Sequence, residues 1–168
     1  MLKNILSPKT CADCRICCIF DKYDVWETPV ISGELAEKIK TANPYLKFVS
    51  KGDSGSYIFN MEETWNEKEE LFRCPALDPQ TGCTLGDNKP FDCKIWPYRI
   101  MELNGALVIA IASICPDLYE KPLRLLVNEL ENGLADMIFA EAEKNPAIVK
   151  PYEQGYPILK VKTVPIGK

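Results

Sequence analysis

The stretch TCADCRICCIF, residues 10–20, sets four cysteines within eight positions: Cys11, Cys14, Cys17 and Cys18. Read as a helix at about 100° per residue, it puts Cys11, Cys14 and Cys18 on a narrow arc, with Cys17 beside Cys14. Thr10 would cap a helix from about Cys11 to Ile19, with Asp13 at the capping-box position. Four thiols on one face build a poor core but present sulfur well. One straight helix cannot wrap four ligands around one tetrahedral ion. Either the segment is a loop, or more distant cysteines complete the shell.

Four such cysteines lie at turns. Cys74 precedes Pro75, Cys83 follows Gly82, Cys93 lies just beyond Pro90, and Cys115 precedes Pro116. Turns expose backbone N–H groups that can hydrogen-bond to sulfur and tune a thiolate. The chain has eight Cys and no His. That composition removes the commonest general base, the Ser-His and Cys-His catalytic pairs, and every mixed Cys/His zinc site. Eight thiolates suit two closed zinc sites, one [4Fe–4S] cluster with spare cysteines, or two clusters. The lack of His favours iron–sulfur over zinc. Buried, reduced cysteines acting as small hydrophobes would account for one or two of the eight. A disulfide scaffold would require export, and a dithiol redox protein needs only one C-x-x-C. Adjacent residues rarely chelate one metal together. One partition is therefore Cys11, Cys14 and Cys17 with Cys115, and Cys74, Cys83 and Cys93 with Cys18. Exchanging Cys17 and Cys18 is nearly as good.

The remaining composition narrows the classes. The 168 residues are 46% hydrophobic and 26% charged, with a formal charge of −4. This is a globular composition, and the length suffices for a core without covalent staples. No basic stripe or Lys/Arg run marks a nucleic-acid partner, and an acidic chain is repelled by phosphate and anionic lipid. The start, MLKNILSPKT, is too short and polar for a signal peptide. The longest apolar run, ALVIAIASIC at 106–115, is well below the roughly 20 residues of a membrane span and reads as a buried strand. The expected compartment is the reducing cytoplasm, with no membrane or nucleic-acid partner. A protein or small-molecule partner stays unspecified.

The pattern outside the cysteines predicts one α+β domain over residues 1–168, with a core of about 11–144 and a tail of 145–168. Its short helices and antiparallel hairpin are expected to be organised around the cysteine site or sites. Ser32 caps a short helix, GELAEKIKTA. YLKFVS and SYIFNM read as strands around the turn KGDSG. Pro90 starts a helical turn through FDCKIW, which Pro97 stops. Asn104-Gly105 between two apolar runs signals a type I′ hairpin. Leu123, Leu126, Val127, Leu130, Leu134, Met137 and Ile138 fall at helical spacing, so an amphipathic helix runs from Pro122 to about Glu143, bent or broken at Asn132-Gly133. YPILKVKTV reads as an added edge strand. Arg15, Arg73, Lys94 and Arg99 are cations that could offset thiolate charge. Asp13 and Asp92 are possible sulfur-site acceptors or, more simply, caps and turn formers. Phe72, Phe91, Trp96 and Tyr98 are shielding or core rings.

CADCRICC resembles the C-x-x-C-x-x-C-C signature of a bacterial and archaeal cysteine-cluster family to which zinc or iron chelation is attributed. The family's second block is similar to CPALDPQTGCTLGDNKPFDCKIWPY here. Lys89 and Lys94 stand where the family usually has Arg, which keeps the charge and loses the fork geometry. The resemblance covers about residues 11–116 and implies a metal-chelating role. A relative with a similar cluster, the flagellin lysine N-methylase, implies a methyl-transfer alternative with an iron–sulfur centre. The present chain has no G-x-G-type loop for S-adenosylmethionine. Three functions follow as expectations: a metal-binding or iron–sulfur module, an S-adenosylmethionine-dependent methyltransferase-like enzyme, or a metal chaperone or store.

Overall fold

The computed structural model describes all residues except 1, 3, 4, 7, 24, 25, 53, 54 and 164–168. The chain falls into two compact units, Met1–Lys94 and Ile95–Lys168.

In the first unit, helix α1 spans Pro8–Cys14. Its start differs from the expected one at Cys11 with Thr10 as cap. Proline fixes φ near the helical value and lacks only an N–H that the first turn leaves unpaired, so the helix can begin at Pro8 and Thr10 lies inside it. Its end also comes early. Arg15 adopts φ 59°, a left-handed conformation that turns the chain out of the helix. The Arg15 N–H still donates to the Cys11 carbonyl at 3.1 Å, and its side-chain Nε donates to the Ala12 carbonyl at 2.7 Å. Those bonds satisfy carbonyls that a helix end leaves open. A single 3-10 turn, Ile16–Cys18, then leads into strand β1, Ile19–Phe20. Cys17 and Cys18 are therefore off the helix, and the single arc of thiols does not form.

Strand β2 (Ile31–Ser32) runs into helix α2 (Gly33–Ala42), where the Ser32 hydroxyl accepts from the Leu35 N–H at 3.3 Å, the expected cap. β3 (Phe48–Ser50) and β4 (Ser56–Phe59) pair antiparallel as expected; two residues of the turn between them lie outside the described set. Four short strands follow: β5 (Trp65–Asn66), β6 (Leu71–Arg73), β7 (Leu77–Asp78) and β8 (Gly82–Cys83). They form sheets β1-β6-β5 and β2-β4-β3 and the ladder β7-β8. Helix α3 (Phe91–Ile95) starts just after Pro90, as predicted. The core under these strands gathers Phe20, Ile31, Ile39, Phe59, Met61 and Leu85, and it includes Cys74. Cys18 and Cys83 pack against it, half-buried.

The second unit is built on one sheet of order β11-β9-β10-β12. β9 (Tyr98–Leu103) and β10 (Ala106–Ile111) form the predicted hairpin. Asn104 and Gly105 have φ 52° and 83°, the pair of positive values that a type I′ turn requires. β10 lies between β9 and β12 (Ile158–Val161), which explains its nearly unbroken apolar run. β12 is an edge strand, as expected, and β11 (Lys150–Pro151) pairs parallel to β9 on the other edge. The predicted amphipathic helix is present in two parts, α4 (Leu123–Glu129) and α5 (Ala135–Lys144). They join across the expected break, where Gly133 has φ 101°. The Tyr98 hydroxyl donates to the Leu126 carbonyl at 2.8 Å and ties β9 to α4. Both units mix short helices with mainly antiparallel strands, an α+β organisation. Among the described residues no helix is long and apolar enough to cross a membrane.

Candidate metal centre

Short strands bring the first two thiols together. β1 and β6 pair with Ile19 opposite Arg73. One step further along the ladder, Cys18 faces Cys74, and the Cys74 N–H donates to the Cys18 carbonyl at 2.8 Å. The Leu77 N–H donates back to the Cys74 carbonyl at 2.9 Å, closing the turn through Pro75 into β7. Leu77 then pairs with Cys83 on β8. Gly82 precedes Cys83 with φ 84°, a conformation that suits glycine, and a side chain there would meet Ala12 of α1 at 3.9 Å. Cys93 sits on α3. Its neighbour Asp92 accepts from the Val30 N–H at 3.0 Å and so anchors the helix.

The thiols act on one another. The Cys17 thiol donates a hydrogen bond to Cys18, and the Cys18 thiol is bonded to Cys74. The largest single influence on Cys18 is the hydrogen bond from Cys17, which lowers its pKa. The bond to Cys74, burial, and the charges of Cys74 and Cys83 together outweigh it and push the thiol up to about 12. Cys17 is raised far above the ordinary thiol value, first by the bond it donates to Cys18, then by burial and the charge of Cys18; Lys89 pulls weakly the other way. Cys93 is raised by desolvation, then by the charges of Cys18, Asp92, Cys17 and Cys83. Cys93 keeps surface open to solvent, so its desolvation is partial. Like charges at close range disfavour ionisation, and that effect adds to the larger hydrogen-bond and desolvation causes. Five thiols of the first unit, Cys17, Cys18, Cys74, Cys83 and Cys93, are thus electrostatic neighbours.

As they stand, no three His, Cys, Asp or Glu side chains among the described residues are grouped closely enough to hold one metal ion. All eight cysteines are free of disulfides. Cys11 and Cys14 lie a helical turn apart on α1, both half-buried. Cys115 is buried in the second unit, and its N–H donates to the Ala112 carbonyl at 3.3 Å. Three of the four sequence-named cations have other partners. Arg15 closes α1, Arg73 pairs with Glu69, and Arg99 lies over the Trp96 and Tyr156 rings at 5.5 and 5.9 Å. Lys89 is a cation whose charge reaches a thiol, that of Cys17, and the sequence offered only its place in the resemblance as a sign. Asp92 serves as an anchor for Val30. Phe72 lies between the tilted rings of Tyr23 and Trp65, at 5.7 and 4.7 Å, and packs half-buried against the core.

No family model, curated protein or solved structure matches this chain.

Proposed function

We propose that the first unit is an all-thiolate metal-binding module, with Cys18, Cys74, Cys83 and Cys93 as its ligands. The observation that carries this reading is the strand pairing that sets Cys18 opposite Cys74, with the Cys74 N–H on the Cys18 carbonyl at 2.8 Å, and leads through β7 to Cys83; the charges of Cys74 and Cys83 act on Cys18, and those of Cys18 and Cys83 on Cys93. The donor set fits a soft or borderline cation. Cys18 and Cys93 resist ionisation through hydrogen bonding or burial and, beyond that, through the charge of neighbouring thiols, and a bound cation would reverse the sign of that last effect. A cysteine side chain reaches a new position by rotation about one bond, so neighbouring thiols can converge without a change of fold. Four thiolates and no His favour a [4Fe–4S] cluster over zinc. A cluster would supply electron transfer, whereas zinc would supply a cross-link between the 3-10 turn before β1, the residue after β6, β8 and α3. The resemblance of CADCRICC and of the second block to a metal-chelating cysteine family supports the same reading. A methyltransferase role would need an open iron position with a non-Cys ligand, which nothing about the four thiols favours.

The test is metal content after anaerobic purification of the wild type, Cys18→Ser and Cys74→Ser. The expected result is bound metal in the wild type and its loss in both variants. Full metal content in either variant, with the fold intact by circular dichroism, overturns the ligand set.

A further inference from the structure

Eight free thiols allow many pairings, and the strand ladder singles out one of them. Ile19 lies opposite Arg73 and Phe20 opposite Phe72. The Cys74 N–H on the Cys18 carbonyl at 2.8 Å carries the ladder one step further, so Cys18 lies opposite Cys74. Side chains alternate along a strand, which puts Cys18, Phe20, Phe72 and Cys74 on one face. Their surroundings agree: Phe20 and Cys74 belong to one buried cluster, and Cys18 and Phe72 pack against that same cluster. A hydrogen-bonded antiparallel pair holds its Cα atoms about 5.5 Å apart. A disulfide spans roughly 4.4–6.8 Å between Cα atoms. Other pairs fit less well. Cys11 and Cys14 both lie within α1. Residues three apart on a helix hold their Cβ atoms about 5–6 Å apart, beyond the roughly 3.5–4.5 Å of a disulfide. Cys17 and Cys18 would close a small ring through one planar peptide unit. Cys83 lies opposite Leu77, which offers no thiol.

We infer that Cys18 and Cys74 are a cross-strand dithiol that a small-molecule disulfide oxidises to a disulfide bond, which makes the β1–β6 ladder a redox-sensitive joint of the first unit. Cys18 is half-buried and Cys74 buried, and this sets the order of events. The Cys18 sulfur attacks the incoming disulfide, forms a mixed disulfide and releases the first small thiol. The Cys74 sulfur then attacks the Cys18 sulfur, forms the protein disulfide and releases the second small thiol. The two cysteines lose two electrons and two protons, and the two small thiols carry both away. Excess small thiol runs the same steps in reverse. The inference rests on the ladder and needs no metal. Where the ligand set proposed above is filled, disulfide and metal compete for the same two sulfurs, so oxidation releases the metal.

The test uses the full chain, reduced and freed of metal with a chelator, in anaerobic buffers of glutathione and glutathione disulfide. Thiols are trapped by rapid alkylation, and disulfides are located by fragmenting the linked peptides. The expected first disulfide joins Cys18 to Cys74. It should form at a glutathione disulfide fraction several-fold lower than the same chain needs when unfolded in urea, because the ladder holds the two thiols together. Cys18→Ser should lose this disulfide, and Cys17→Ser and Cys83→Ser should keep it at the wild-type glutathione disulfide fraction. A first disulfide between any other two cysteines overturns the inference. So does a folded chain that oxidises no more readily than the unfolded one. Both results leave the ligand set to its own test of metal content.

Discussion

Cys18 and Cys74 meet because Ile19 and Phe20 pair with Phe72 and Arg73 one register step away. A two-residue strand thus does what the opening C-x-x-C-x-x-C-C spacing could not do alone. The raised thiols make a pH prediction for the metal-free, reduced protein. A thiol held above its ordinary 9.0 stays neutral in the folded chain while the unfolded chain ionises, so its contribution is complete below about pH 9. It is lost as pH rises toward the folded value of about 12 for Cys18. Urea unfolding midpoints should therefore fall between pH 8.5 and about 11, and Cys18→Ser should flatten that slope. An unchanged slope in the variant would show that Cys18 is not strained by its neighbours. Metal uptake runs in the opposite sense. It releases thiol protons, so affinity for the metal should weaken steeply as pH drops below neutral, measured by chelator competition. At this scale the cysteines and their spacing were legible in the sequence, but not the end of the first helix at Arg15, because Arg15 carries no compositional sign of its left-handed turn.

The elements were the most legible level. Asn104-Gly105, the Ser32 cap, the Pro90 helix start and the Asn132-Gly133 break were all readable, since each rests on local backbone chemistry. The first helix was misplaced because Thr10 offered a good cap while Pro8 offered a better first position. The strands β5 to β8 are only two or three residues long, too short to show a two-residue period against turn-rich surroundings. Two element-scale substitutions follow. Ser32→Ala removes the oxygen that accepts from Leu35 and should cost about 1 kcal/mol in thermal or urea unfolding. Gly133→Ala forces an L-residue to φ 101° and should cost about 1 kcal/mol or more, against a gain if the break were an ordinary helical position. Equal stability in either variant would contradict the local geometry behind it.

At the level of the whole chain, seven of the eight cysteines belong to the first unit and Cys115 to the second. The proposed ligands Cys18, Cys74, Cys83 and Cys93 all belong to the first. Cys115→Ser should therefore keep the metal content of the wild type, where Cys74→Ser loses it. The grouping into units was not visible in the sequence, because no linker of distinct composition separates residues 94 and 95. The most direct measurement is iron, zinc and acid-labile sulfide per chain on protein purified without oxygen, with the visible spectrum of the same sample. The account predicts a brown protein with about four iron and four sulfide, both absent from Cys74→Ser. A colourless wild-type chain that holds neither iron nor zinc, with all eight thiols open to alkylation once unfolded, would contradict it.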